Sequence, residues 1–135
     1  MNNRITPENI TQLKDNEIFI FGSNLSGRHF KGAAKTALGW GAKVGQATGL
    51  QGKTYGIPTK DVSIRRVLTI NEIKPYVDEF IEFAKANPQL IFLVTEVGCG
   101  LSNYHPKDVA PLFKNAINIP NIYLPARFWH KIQEK

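Results

Sequence analysis

An α/β domain is the fold class this sequence predicts, as a three-layer α/β/α sandwich around a mostly parallel or mixed central sheet. Three observations predict it. Short apolar runs alternate with segments of helical periodicity, the pattern of strands joined by crossover helices. The run Leu90-Ile91-Phe92-Leu93-Val94 is apolar throughout, as a strand covered on both faces must be. Two of the runs empty into glycine-rich segments followed by helix-like sequence, and in open α/β sheets ligands bind at such turns, beyond the carboxyl ends of strands.

The elements follow in chain order. Glu17–Phe21 is the first predicted strand, and it empties into Gly22-Ser23-Asn24-Leu25-Ser26-Gly27. Gly32–Trp40, with its Ala33, Ala34, Ala37 and Leu38, predicts a helix. Gly41–Lys53 is a glycine-rich connection to a short strand, Thr54–Pro58, and a basic loop comes next. From Asn71 to Ala86 the apolar Ile73, Tyr76, Val77, Phe80, Ile81 and Ala84 recur at helical spacing, with Glu72, Lys74, Asp78, Glu79, Glu82 and Lys85 opposite. Asn87-Pro88 ends this helix, because the residue before a proline avoids helical dihedrals. The strand Leu90–Val94 then leads through Val97 into Gly98-Cys99-Gly100-Leu101. Pro106–Ile117 predicts a helix bent at Pro111, and Ile122-Tyr123-Leu124 a last strand. Phe128 and Trp129 fall in the tail, where they would cover the sheet edge or an interface. Without repeats or low-complexity stretches, residues 1–135 read as one domain.

Composition narrows the function classes. A chain of 135 residues with 42% hydrophobic residues buries one ordinary core. No apolar stretch is long enough to span a membrane, and Met1-Asn2-Asn3-Arg4 lacks the apolar core of a signal peptide, so the expected location is the cytoplasm. Cys99 is the single cysteine, and with His29, His105 and His130 dispersed there is no metal-ligand spacing; no metal and no cofactor is predicted. Residues 26–66 carry eight basic side chains (Arg28, Lys31, Lys35, Lys43, Lys53, Lys60, Arg65, Arg66) against one acid, Asp61. The whole excess of +6 comes from that region. It is either a solvated basic face or a field that draws in a polyanionic ligand.

The two glycine-rich segments suggest two walls of one crevice. Glycines such as Gly22, Gly98 and Gly100 let successive N–H groups point into one concavity, and Pro106 is placed to open a helix just beyond. Either the glycines answer only the steric demand of sharp strand-to-helix turns, or the segments hold a ligand, and the ligand such a crevice suits is an anion. Arg28 and His29 can grip phosphate or stack on a base, or lie in solvent. Phe30 and Trp40 either flank a base or pack. Tyr104 either closes over the ligand or belongs to the core. Cys99, between glycines, reads as a small residue packing beneath the loop.

The order of strand, Asn24-bearing turn, Gly32-Ala33-Ala34 helix, Tyr55-Gly56-Ile57-Pro58-Thr59-Lys60 and then Val97-Gly98-Cys99-Gly100-Leu101 resembles the macrodomains, the ADP-ribose-binding fold. Thr-Lys after a short strand paired with Gly-Cys-Gly-Leu after a later one looks like their terminal ADP-ribose protein glycohydrolase class, and the match in element order runs from about Glu17 to Pro125. The resemblance implies that Gly22, Ser23, Asn24, Arg28, Gly32, Ala33 and Ala34 border an adenosine-diphosphate and distal-ribose crevice. Gly98, Cys99, Gly100, Leu101, Ser102, Asn103 and Tyr104 would cradle the diphosphate, and Asn24 would hydrogen-bond the distal ribose.

For catalysis the same resemblance implies Lys60 as the group attacking the anomeric carbon, with Asn24 at the distal ribose as the second catalytic residue, assisted by an aspartate beside the Gly-Cys-Gly-Leu motif. Here that aspartate is replaced by Ser102, whose hydroxyl does not accept a proton at neutral pH as a carboxylate does. Glu96, Asp61 and Asp108 are the nearby acids, none at the family's position. Lys60 is thus a nucleophile, a cation facing the diphosphate, or an exposed lysine beside Asp61. The expected function is binding of ADP-ribose or a related adenine nucleotide derivative, free or on an ADP-ribosylated protein, with hydrolysis through Lys60 as an extension. The alternative is an RNA or single-stranded DNA binding module built on residues 26–66, which offers only Phe30, Trp40 and Tyr55 for stacking.

Overall fold

A computed structural model describes residues 3–133; Met1 and Asn2, at the head of the stretch expected to lack a signal peptide, and residues 134–135 lie outside the described residues. The fold is α/β. Its strands are β1 (Glu17–Asn24), β2 (Gly49–Gln51), β3 (Thr54–Lys60), β4 (Ile91–Val94) and β5 (Ile122–Tyr123). Its helices are α1 (Gly32–Leu38), α2 (Ile70–Ala86), α3 (Pro106–Val109), which continues into a 3₁₀ segment (Ala110–Ala116), and α4 (Ala126–Gln133). The sheet is mixed, in the order β2-β3-β1-β4-β5, with β2 antiparallel to β3 and the other neighbours parallel.

β1 is central because both of its faces are apolar. Strand side chains alternate between faces, so Ile18 and Ile20 join Tyr55, Phe92, Val94 and the buried residues of α2, the 3₁₀ segment and α4 in the larger core. Phe19 and Phe21 face the other way and meet Ala34 and Ala37 of α1 and Ala42 in a smaller core. Phe80, Phe92, Phe113 and Phe128 are fully buried. Truncating any one to alanine costs about 3–5 kcal/mol, a large part of the ~5–15 kcal/mol that holds such a domain.

α2 buries the stripe Ile73, Val77, Phe80, Ile81 and Ala84. It starts at a capping box: Thr69 Oγ1 accepts from the Glu72 amide at 3.1 Å, and Glu72 accepts from the Thr69 amide at 2.9 Å. At the far edge of the sheet, Ile5 bridges Leu124. Arg4 donates to the carbonyls of Ile117, Ile119 and Ile122 while its guanidinium lies 5.1 Å over the Trp129 ring.

Several elements differ from the sequence-based expectations. Gly22, Ser23 and Asn24 do not open a turn but continue β1, opposite Ile57, Pro58 and Lys60; ladder pairing satisfies their backbone and outweighs poor strand propensity. β3 likewise runs on to Lys60, and Pro58 fits because β2 pairs only as far as Gly56. The connection Gly41–Lys53 contains the edge strand β2. The helix expected at Pro106–Ile117 divides, since Pro111 has no N–H for the Lys107 carbonyl and the chain tightens into 3₁₀ geometry. The expected tail is helix α4, and Phe128 and Trp129 lie in the larger core rather than on an outer edge or interface.

Candidate functional site

A crevice of about 800 Å³ opens at the carboxyl ends of the adjacent parallel strands β1, β3 and β4. That volume is in the range of small-molecule sites. One wall is Gly22, Ser23, Asn24, Arg28 and Phe30–Ala34; the other is Thr95–Ser102; Thr59, Lys60 and Ile64 stand between them. The walls approach so closely that a Cβ on Gly22 would lie 3.5 Å from the Gly98 nitrogen and 3.6 Å from Thr59 Oγ1. Gly98 has φ +79°, which a side chain would strain. Gly100 carries no such demand, and a Cβ there meets nothing within 4 Å.

The loop after β4 is braced from behind. The Cys99 amide donates to Glu96 (3.0 Å), Asn103 to Gly100 (3.0 Å) and Tyr104 to Gly98 (2.8 Å). The amides of Gly100, Leu101 and Ser102 make no hydrogen bond among the described residues, while all three residues line the crevice. Ser102 Oγ and Thr59 Oγ1, both buried, are 2.9 Å apart. Leu101 reaches over the opposite wall, its Cδ1 3.4 Å from where a Gly32 Cβ would sit.

Two expected ligand residues lie outside the crevice. Asn103 adopts φ 62° and turns the loop. Tyr104 packs on the larger core and donates from Oη to the Leu68 carbonyl at 2.5 Å, so it anchors the loop instead of covering a ligand. Asn24 borders the crevice but uses its side chain locally: Nδ2 donates to the Arg28 carbonyl at 2.6 Å, and Oδ1 accepts from Ser26 Oγ and the Arg28 amide. Its first role is to shape the turn. His29 is fully buried, edge-on to Phe21, with Nε2 3.1 Å from the Gln46 carbonyl; it neither grips phosphate nor meets solvent. Trp40 packs against Phe19, whereas Phe30 lines the crevice and is 62% exposed.

The electrostatics favour an anion. Arg28, Lys31 and Lys60 line the crevice, and the Lys60 ammonium has no ion-pair or hydrogen-bond partner among the described residues. Asp61 turns away to Ser63 and Arg66, which hold its carboxyl below the usual range. Asp108 caps α3 through the His105 amide. Glu96 is the one lining carboxylate among the described residues, and Arg127 of α4 grips it with two donors. Burial, then Glu96, pushes the Cys99 thiol up to about 11, so it is no nucleophile near neutral pH.

Phe30, Lys31, Thr59, Ile64, Thr95, Glu96 and Val97 line the crevice without having been singled out for it from sequence, apart from the alternative for Phe30. Thr59 adjoins Lys60 and Lys31 adjoins the turn, so nearness was a signal for both; Ile64 carried none. A second, shallower groove of about 660 Å³ runs between α3 and α4. Among the described residues no three His, Cys, Asp or Glu side chains cluster as metal ligands, and no helix is long and apolar enough to cross a membrane. No family model, curated protein or solved structure matches the chain.

Proposed function

We propose that this chain binds ADP-ribose or a related adenine nucleotide derivative in the crevice between β1, α1 and the loop after β4. In this reading the domain is macrodomain-like, with α1 as one helical layer and α2, the 3₁₀ segment and α4 as the other. The observation that carries it is the coincidence, in one ligand-sized crevice, of three loop amides and a Lys60 ammonium that have no partner among the described residues. Loop amides held in place before the ligand arrives bind a diphosphate with little reorganisation, and Lys60 adds a positive charge beside them.

Binding is favoured over turnover by the state of the acids. Attack by Lys60 on a ribose carbon needs a neutral amine and a group to move the proton. Glu96 is paired with Arg127, and the Ser102 hydroxyl is engaged by Thr59. Hydrolysis of an ADP-ribosylated protein through Lys60 is the extension to be tested second.

The test is isothermal titration calorimetry with ADP-ribose, ADP, AMP and NAD at two salt concentrations, on the wild type and Gly100→Glu. Gly100 is the site for the blocking side chain because it is exposed and a Cβ there meets nothing. Saturable binding that is strongest for ADP-ribose and absent in a folded Gly100→Glu supports the reading. No heat with any nucleotide, together with salt-sensitive binding of single-stranded RNA or DNA, replaces it by the nucleic-acid alternative.

A further inference from the structure

We infer that Ile64 sets the specificity of the crevice, its apolar side chain selecting a nucleotide over bare diphosphate. The inference rests on the nucleotide reading above and adds which part of the ligand is discriminated. Lys60 pairs with Val67 across a tight hairpin, closed by bonds from the Asp61 amide to the Arg66 carbonyl (2.9 Å) and from the Ile64 amide to the Asp61 carbonyl (3.1 Å). The Asp61 carboxylate holds the turn by accepting from the Ser63 amide and hydroxyl. This geometry puts residue 64 at φ 66°. Glycine or asparagine occupies such a position at little cost, whereas a β-branched residue there is strained.

The fold does not explain the isoleucine. Ile64 belongs to neither core and packs on neither as a partly buried neighbour. It lines the crevice, as do the exposed apolar residues Phe30 and Leu101. A strained apolar residue without core packing, set beside an unpaired lysine, gives the crevice a carbon-rich wall next to its anion-binding groups. Phosphate alone gains nothing from that wall. The base or ribose of a nucleoside diphosphate loses apolar surface to it.

Ile64→Gly and Ile64→Asn test this, because both tolerate the left-handed backbone and both remove the apolar side chain. Affinity for ADP-ribose is read by calorimetry, affinity for inorganic diphosphate by competition, and folding by Tm. The expected result for both variants is an ADP-ribose affinity about tenfold weaker, an unchanged diphosphate affinity, and a Tm equal to or above the wild type. Unchanged ADP-ribose affinity overturns the inference, as does an equal loss for both ligands, which would assign the hairpin to positioning Lys60. A lowered Tm in both variants assigns the side chain to packing and also overturns it. Wild type that binds no nucleotide defeats the underlying reading, and this inference with it.

Discussion

The hydroxyls of Thr59 and Ser102 lie 2.9 Å apart in the protein interior, joining the end of β3 to the loop after β4 by one buried hydrogen bond. Ser102 thereby belongs to the scaffold that holds the loop against the sheet.

Removing either partner leaves the other buried with its main bond lost. Thr59→Val and Ser102→Ala are each expected to cost about 1–3 kcal/mol, and the double variant less than their sum. Urea unfolding of the four proteins in the cycle measures this; additive costs would mean that the hydroxyls do not interact.

Lys60→Ala is expected to leave Tm unchanged, because the ammonium has no partner among the described residues. ADP-ribose affinity should fall by about tenfold, the worth of one charge-assisted contact, and less at high salt. Calorimetry at two salt concentrations checks both. Release of ADP-ribose from a modified protein by the wild type, lost in Lys60→Ala, would assign Lys60 the nucleophile's role instead.

Cys99 is expected to resist alkylation. With its thiol raised from the ordinary 9.0 to about 11, its thiolate fraction at mildly alkaline pH is lower by roughly two orders of magnitude. Iodoacetamide labelling followed by mass spectrometry should be correspondingly slow in the folded chain and fast in urea. Rapid labelling of the folded chain would contradict the packed thiol.

Acid should weaken the fold in part through Glu72. Arg66, then the Thr69 amide, hold its carboxyl at about 2, below its ordinary 4.5. A depressed carboxylate stabilises the folded state above the unfolded value and loses that contribution as pH falls toward the folded one. Urea midpoints should therefore drop between pH 4.5 and pH 2, and Glu72→Gln should flatten that limb. An identical acid limb in the variant would assign the loss to other carboxylates.

How much of this is legible in the sequence depends on how local each cause is. α2 is legible to within one residue because its apolar stripe and the Asn87-Pro88 stop are contained in the segment itself. The first glycine-bearing segment is legible only in part: Gly22, Ser23 and Asn24 border the crevice, but as a continuation of β1 that pairing with distant β3 imposes. β2 is not: Gly49-Leu50-Gln51 is a strand only because Thr54–Gly56 lies beside it. Nor is α4, whose Phe128 and Trp129 become core residues through packing on the 3₁₀ segment and the rest of the larger core. Tyr104 and Asn103 sit in the motif's neighbourhood, yet the fold turns them to its support, and Ile64 reaches the crevice through a hairpin that only the paired Lys60 and Val67 define.

β1, earliest of the strands in the chain, lies between two partners that come later, β3 and β4. As the protein is synthesised, at about 5–20 residues per second, β1 emerges with both edges unpaired and waits several seconds for the second of them. That interval is its window for misassociation. Closure of the two walls marks the end of the interval, because one wall precedes β3 and the other follows β4. A ligand that needs both can hold only a chain in which both walls have come together, and at a hundred times its Kd it would favour that state by about 2.7 kcal/mol. Any ligand that bridges the two walls would in this way also act as a chaperone for the newly made protein.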